Sequence, residues 1–247
     1  MVDHMLELVH WFMLLLFIGW SAYLVVVFTK FRQEKNPKAD YHGVRGHAST
    51  HIEIGVVIVE VILLLGFAFP LWAQQSLLYP TGKNVVKMRA VGEKFAWNFQ
   101  YAGLDGTLGR MELKYIDAAN GNIIGRDMKD PNGKDDFVKG SMMTLPVGRP
   151  VIVDVTSKDV IHNLAIVPMR AAQDATPGVR GHLWFTPTKT GEWDIICGQL
   201  CGVGHSGMKA RLAVVPQQEF DAFIKEASEE ALKKASTPAA GPSKSSH

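Results

Sequence analysis

Cysteine is scarce: the 247 residues hold only Cys197 and Cys201. A disulfide-stapled scaffold is thereby excluded. No Cys-x-x-Cys-His run occurs, so the chain offers no attachment site for a covalent heme. An excess of one charge is missing too. Lys and Arg number 26 against 24 Asp and Glu, a net charge of +2, which leaves no nucleic-acid footprint. Internal repeats are absent. Charge vanishes altogether between Leu14 and Thr29 and between Val61 and Lys83, while the remainder is polar and rich in Gly, Asp and Lys turns. The average of 47% hydrophobic and 20% charged residues therefore conceals two membrane-grade segments and one water-soluble body. This excludes a single soluble globule and a multi-span transporter.

What is there begins with those two segments. The first apolar run covers about 6–29 and the second about 52–74, each long enough for the roughly 20 residues that span a bilayer core. Trp11, Trp20 and Trp72 include residues suited to the interfacial belt. The first run opens on acidic Asp3 and Glu7, exceeds an h-region and lacks a small-x-small cleavage site, so it is expected to be retained rather than removed as a signal peptide. The connecting loop carries Lys30, Arg32, Lys35, Lys38 and Arg45 against Glu34 and Asp40, which predicts a cytoplasmic loop with both termini and the soluble body on the opposite side. Glu53 and Glu60 lie at or inside the second segment, seven residues apart and so on one helical face. Glu53 also reads as an interfacial residue that suits a helix start. Glu60 is deeper and calls for a partner on another helix, so the hairpin is expected to pack against another membrane protein.

From Val85 the period changes to two. Phe95, Trp97, Phe99 and Tyr101 alternate cleanly, which predicts four aromatics on one strand face. Further strands are predicted over 110–116, 141–146, 150–157, 163–166, 182–185, 191–196 and 209–215, separated by Gly/Pro/Asp turns. About 130 residues of short strands indicate a β-sandwich or Greek-key barrel. A helix is predicted from Pro216 to about Lys234, followed by an Ala/Pro/Ser/Lys-rich tail, 235–247, with the composition of a disordered segment.

The most informative segment is Cys197-Gly-Gln-Leu-Cys201-Gly-Val-Gly-His205-Ser-Gly-Met208, with two thiols, an imidazole and a thioether in twelve residues. A second imidazole, His162, ends the run Asp159-Val-Ile-His162 upstream. Soft sulfur with imidazole suits copper, and Met is a weak copper ligand in electron-transfer sites. One Cys, two His and one Met serve a single copper; the additional thiol allows two thiolates to bridge two metals, a pair that shares one electron with little rearrangement. The glycines 198, 202, 204 and 207 let the backbone close around such a site. The competing readings are a Cys197–Cys201 disulfide with bystander His and Met, and a zinc site, for which Met is a poor ligand.

These residues resemble subunit II of the heme–copper cytochrome c oxidases. Ser157-Lys-Asp159-Val-Ile-His162, Asp174-Ala-Thr-Pro177-Gly178 and the Cys197–Met208 motif follow that family's order and spacing. So do Phe95-Ala-Trp97-x-Phe99-x-Tyr101 and the helix hairpin with Glu53 and Pro70, over about residues 1–226. The resemblance implies a two-helix transmembrane hairpin (1–78), an all-β cupredoxin-like Greek-key barrel (79–226) and a helix end with tail (227–247). It implies a dinuclear copper centre, CuA, bridged by Cys197 and Cys201, with His162 and Met208 on one copper and His205 and the Gln199 carbonyl on the other. It further implies a bacterial inner-membrane oxidase. There the chain would take single electrons from a separate cytochrome c or small copper protein and pass them to hemes in subunit I for oxygen reduction and proton pumping. Glu53 would stand at the mouth of a proton path, and Phe95 and Trp97 would receive the electron. Three departures point to a divergent bacterial branch. Gln199 stands where the family usually has a Glu that also binds magnesium, so copper is untouched and the magnesium site loses its carboxylate. Phe95 replaces the usual electron-receiving Trp. Val179 replaces the usual Arg after Pro-Gly, with Arg180 one further on. From Tyr79 onward 21 basic residues face 18 acidic ones, which predicts no strongly acidic docking surface for a basic donor.

Two alternatives remain open in the sequence. The copper motif is shared with electron-accepting subunits of nitric-oxide and nitrous-oxide reductases. Cys-x-x-x-Cys also marks membrane-anchored copper chaperones of the thioredoxin type, although these alternate strands with helices and carry their His far downstream.

Overall fold

The computed structural model describes residues 2–38, 41–43 and 46–236. Asp40 and Arg45 of the charged loop, and the tail from residue 237, lie outside the described residues. The chain divides into two compact units, Met1–Leu78 and Tyr79–His247.

The first unit is helical. Helix α1 spans Val2–Lys30, with Asp3 in its first turn and Lys30 in its last, the polarity that complements a helix dipole. Helix α2 spans Ala48–Leu63, loosens into a π-helical turn over Leu64–Ala68 and continues as α3, Phe69–Leu77. Pro70 accounts for the loosened turn: it donates no N–H, and its ring collides with the carbonyl four residues earlier. Asp3–Lys30 and Ala48–Leu77, 28 and 30 residues, are long and apolar enough to cross a membrane. Both helices outrun the stretches expected from the charge pattern, because the flanking polar residues continue the helix beyond the apolar run. No residue of α2, the π turn or α3 is buried.

The second unit is built from ten strands: β1 Val86–Glu93, β2 Ala96–Tyr101, β3 Phe137–Gly140, β4 Met142–Pro146, β5 Val151–Ser157, β6 His162–Ile166, β7 Ala171–Ala175, β8 Gly181–Phe185, β9 Gly191–Cys197 and β10 Lys209–Val215. One sheet runs β3-β2-β1-β5-β8 and the other β4-β10-β9-β6-β7. β1 pairs with β5, and β4 with β10, in parallel, while the remaining neighbours are antiparallel. Period-two alternation turns Met88, Ala90, Phe99, Val153 and Val155 of the first sheet and Leu164, Ile195 and Leu212 of the second into one apolar cluster. Fully burying a side chain such as Phe99 contributes about 1.5–3 kcal/mol. Helix α4, Gln217–Ser236, sets Phe223 edge-on against the stacked pair Tyr101 and Phe137, with centroids 5.4 Å from each.

Three expectations are corrected here. Residues 110–116 form no strand: Met111 makes a single bridge to Arg126, and Leu113–Tyr115 is a 3-10 turn. The edge of β2 is taken by β3, and of this alternating segment Met111 enters a small cluster with Val91 and Ile124. Phe95 precedes β2 rather than sharing its inner face, and is 36% exposed where Trp97, Phe99 and Tyr101 are fully buried. Strands β3 and β7 were not anticipated.

The outer face of the first sheet is also covered. Arg89, 2% exposed, donates through Nη1 to Gln100 Oε1 at 2.8 Å and approaches Asp154 at 3.7 Å. Gln100 Nε2 and the Gly109 N–H donate to Asp136 Oδ2 at 2.5 and 2.9 Å. Burial pushes the Asp136 carboxyl up to about 6, against the pull of these donors.

Candidate metal centre

Three adjacent strands of the second sheet, β10-β9-β6, carry the ligand candidates. Cys197 ends β9 and Met208 immediately precedes β10; the Cys197 N–H donates to the Met208 carbonyl at 3.2 Å, which closes the base of the intervening loop. His162 opens β6, and the Gly198 N–H donates to the Asn163 carbonyl at 2.9 Å, which draws the two strand ends together. The loop returns through a 3-10 turn at His205–Gly207.

The donors converge. The two sulfurs are 3.9 Å apart, nearly twice the roughly 2.05 Å of a disulfide, and both thiols are free. Cys197 Sγ lies 3.9 Å from His162 Nδ1 and 3.1 Å from the Gln199 carbonyl oxygen. Cys201 Sγ lies 3.7 Å from His205 Nδ1 and 3.8 Å from Met208 Sδ. The ligand atoms of His162, Cys197 and Cys201 all fall within 4.8 Å of one another. Each thiol–imidazole distance is below about 4.3 Å, the sum of a metal–thiolate bond of about 2.3 Å and a metal–imidazole bond of about 2.0 Å as known for zinc. The donor set therefore fits a first-row metal, and two sulfurs with a thioether favour copper over zinc. Burial pushes the Cys201 thiol up and the neighbouring Cys197 pushes it the same way.

His162 is fully buried and its ring is aimed. Nε2 lies 2.9 Å from Asp159 Oδ1. A carboxylate only accepts, so Nε2 carries the proton and Nδ1 is left as a lone pair facing Cys197. Burial opposes ionisation of Asp159, but hydrogen bonds from His162 and from the N–H groups of Lys94 and Val160 outweigh it and hold the carboxyl below its ordinary range. The ring also rests on Gly92, where an added Cβ would come within 2.9 Å of His162 Cδ2. Trp97 meets His162 edge-on at 6.0 Å. Phe95 lies across the loop, so close that a Cβ on Gly204 would come within 2.4 Å of the ring. Of the four loop glycines expected to permit this approach, Gly207 has open space around its Cβ direction. Asp159 and Gly92 were not singled out as site residues from sequence; the signal for Asp159 was its position three residues before His162. Glu53 lies in α2, within the helical unit.

Residues 86–215 match the family described as cytochrome c oxidase subunit II, periplasmic domain. The alternative cytochrome c oxidase subunit 2 of Bradyrhizobium diazoefficiens is 27% identical over 226 residues, covering 91% of this chain and 79% of that protein. The cytochrome c oxidase subunit 2 of Alkalihalophilus pseudofirmus is 24% identical, covering 82% of this chain and 52% of that protein. This chain thus spans about half the length of that second relative. The crystal structure of the periplasmic domain of cytochrome oxidase subunit II from Bradyrhizobium japonicum is 26% identical, with a TM-score of 0.44 over 61% of this chain and 97% of that one. With apolar helices ahead of a β domain whose 130 matched residues exceed half its length, this chain belongs to the cytochrome c oxidase subunit II family.

Proposed function

We propose that this chain is the electron-accepting subunit of a bacterial respiratory oxidase and that its β domain holds a dinuclear copper centre. The observation that carries the reading is the convergence of two thiols, two imidazoles and a thioether within 3.7–3.9 Å contacts on one loop and one adjacent strand end. Cys197, Cys201, His162, His205, Met208 and the Gln199 carbonyl would hold the copper, the two sulfurs being shared between the metals in this reading. Such a copper pair, when bound, holds one electron shared between two metals.

The chain's own residues do the rest. Asp159 fixes the tautomer and direction of His162, and Gly92 leaves room for its ring. Burial of Cys197, Cys201 and Met208 excludes water from the sulfur donors. Phe95, partly exposed over the loop, and Trp97, buried against His162, are the aromatic path by which an electron from a separate cytochrome c or small copper protein reaches the ligands. Leu200 and Val203, 79% and 101% exposed beside the ligands, support a protein partner over this loop. Gln199 offers an amide in place of a carboxylate, so its side chain brings no charge to a magnesium ion at the subunit boundary.

In this reading residues 1–78 anchor the chain in the inner membrane with the charged loop on the cytoplasmic side, 79–226 form the periplasmic copper domain, and 227–247 end the chain. Electrons leave for subunit I, where oxygen is reduced and protons are pumped, and Glu53 stands at the mouth of a proton path into that subunit.

The decisive test is electron paramagnetic resonance of the copper-loaded full chain in detergent. One unpaired electron shared over two coppers is expected, and Cys197→Ser should abolish that signal. A single-copper spectrum at full loading rejects the dinuclear reading. In the assembled oxidase, Glu53→Gln should slow turnover while the copper signal stays intact; unchanged turnover removes Glu53 from the mechanism.

A further inference from the structure

Five of the six proposed copper ligands are side-chain atoms, which their own rotamers can aim. The Gln199 carbonyl is backbone, and only the path of the chain through Gly198 and Gln199 directs it. Whatever fixes that path therefore fixes a ligand.

Asn163, next to His162 in β6, meets Gly198 twice. Its carbonyl accepts the Gly198 N–H at 2.9 Å. Its side-chain Nδ2 donates to Asp174 Oδ1 at 2.7 Å, across the β6–β7 pair in which Asn163 and Asp174 are direct partners. A carboxylate only accepts, so Nδ2 faces Asp174 and Oδ1 is left for Gly198. There it takes up the room a side chain would need: a Cβ on Gly198 would come within 2.6 Å of Asn163 Oδ1 and 3.1 Å of its Cγ. Gly198 has no left-handed backbone that calls for glycine; the space does. One hydrogen bond and one close contact thus hold Gly198 against Asn163. Gly198 in turn sits between Cys197, paired across the sheet with Leu164, and Gln199, whose carbonyl oxygen lies 3.1 Å from Cys197 Sγ.

We propose that Asn163 is a positioning residue for the copper centre: its amide, locked by Asp174, wedges Gly198 so that the Gln199 carbonyl is held beside Cys197 Sγ. Asp174 acts through Asn163, and Asn163 acts through Gly198. The proposal rests on the dinuclear copper reading and on the Gln199 carbonyl as a ligand. A weak ligand of this kind tunes a copper–thiolate site, so the arrangement governs the spectrum and affinity of the centre more than the fold.

The test uses the full chain in detergent, saturated with copper. It reads the copper hyperfine splitting by electron paramagnetic resonance and the copper affinity by competition with a chelator. A single-copper spectrum from wild type defeats the dinuclear reading and this proposal with it; a shared-electron spectrum leaves the proposal to stand or fall on the variants. Asp174 is exposed, so its substitutions leave the core intact. Asp174→Asn keeps an oxygen for Nδ2 and should give the wild-type spectrum. Asp174→Ala frees the amide to turn; it should alter the splitting and lower the affinity about tenfold, the lower end for outer partners of metal ligands. Asn163→Ala should do the same. Wild-type behaviour of either alanine variant at full loading overturns the proposal. An Asp174→Asn spectrum that matches Asp174→Ala also overturns it, because charge rather than the hydrogen bond would then act on the centre.

A double-mutant cycle tests the wedge itself. Gly198→Ala puts a methyl where Asn163 Oδ1 stands, and should alter the splitting in the otherwise wild-type chain. In the Asn163→Ala background the same methyl meets no amide and should add little. Equal effects of Gly198→Ala with and without the Asn163 side chain overturn the proposal.

Discussion

At the metal rim His162, Cys197, Cys201 and Met208 are buried with their lone-pair atoms turned toward one another. On the outer face of the first sheet Arg89, Gln100 and Asp136 are equally buried, yet there Arg89 Nη1 and Gln100 Nε2 each meet an acceptor of the same chain, with Arg89 Nε and Asp136 Oδ1 left over. The outer network alternates charge and hydrogen-bonding sense, so most of its polar atoms are met within the chain and it serves the fold. The rim gathers donor atoms that would all serve one cation site, which is what a binding site requires and what a structural network avoids. Both regions lie within one domain, and the copper signal and the folding stability should therefore respond to different substitutions.

The strongest way to break this contrast is Arg89→Ala. It removes a buried cation and leaves Gln100 Oε1 and the Gly109 carbonyl without their donor, while Asp154 keeps only His182. A loss of about 3–5 kcal/mol in unfolding free energy is expected, the cost of opening a buried pair. Thermal or denaturant unfolding of the full chain, followed by tryptophan fluorescence, measures it. The copper spectrum of the folded fraction should be unchanged. A spectrum that shifts with Arg89 would mean that the two faces are one network.

Acidity sharpens the same comparison. Burial raises the Asp136 carboxyl from an ordinary value of 3.8 to about 6. The folded chain then holds that proton more tightly than the unfolded chain does. Its stabilising contribution is complete below about pH 4 and is lost as pH rises through 6, a change of about 3 kcal/mol. Other carboxylates add their own pH dependence, so the measurement is a difference between wild type and Asp136→Asn at pH 4 and pH 7. The variant should lose less stability on going to pH 7, by about that amount. Identical pH profiles would show that Asp136 is already solvated.

The rim was more legible in the sequence than the outer face, for a physical reason. Five of its six ligand candidates lie within Cys197–Met208, where chemistry is encoded by residue type and local spacing. His162 is remote, and its place follows from β6 pairing with β9, a relation fixed by the sheet. The outer network joins residues 11 to 65 positions apart, each unremarkable in its own stretch. Arg110–Ile116 alternates like a strand but makes only the single bridge of Met111 to Arg126. Ala171–Ala175 has little strand propensity, yet it pairs with β6 across five residues. Phe95 continues the alternation of Trp97, Phe99 and Tyr101, but packing against the loop at Gly204 holds it out of the inner face. In each case the pattern was local and the outcome was decided by a neighbour distant in sequence.

The smallest expected effect tests the seam between the two regions. Asp159 belongs to the rim by its contact with His162 Nε2 and to the fold by accepting the N–H groups of Lys94 and Val160 at 2.7 and 2.6 Å. Asp159→Asn keeps the size of the side chain and an oxygen that accepts from Nε2, while it removes the charge that makes His162 a stronger ligand. Copper affinity, measured by competition with a chelator, should fall about tenfold to hundredfold, as for other second-sphere partners of metal-binding His. Unfolding of the metal-free chain should change far less. If affinity is unchanged, the direction of His162 is set by Gly92 and the sheet alone, and the rim is held by packing in the same way as the outer face.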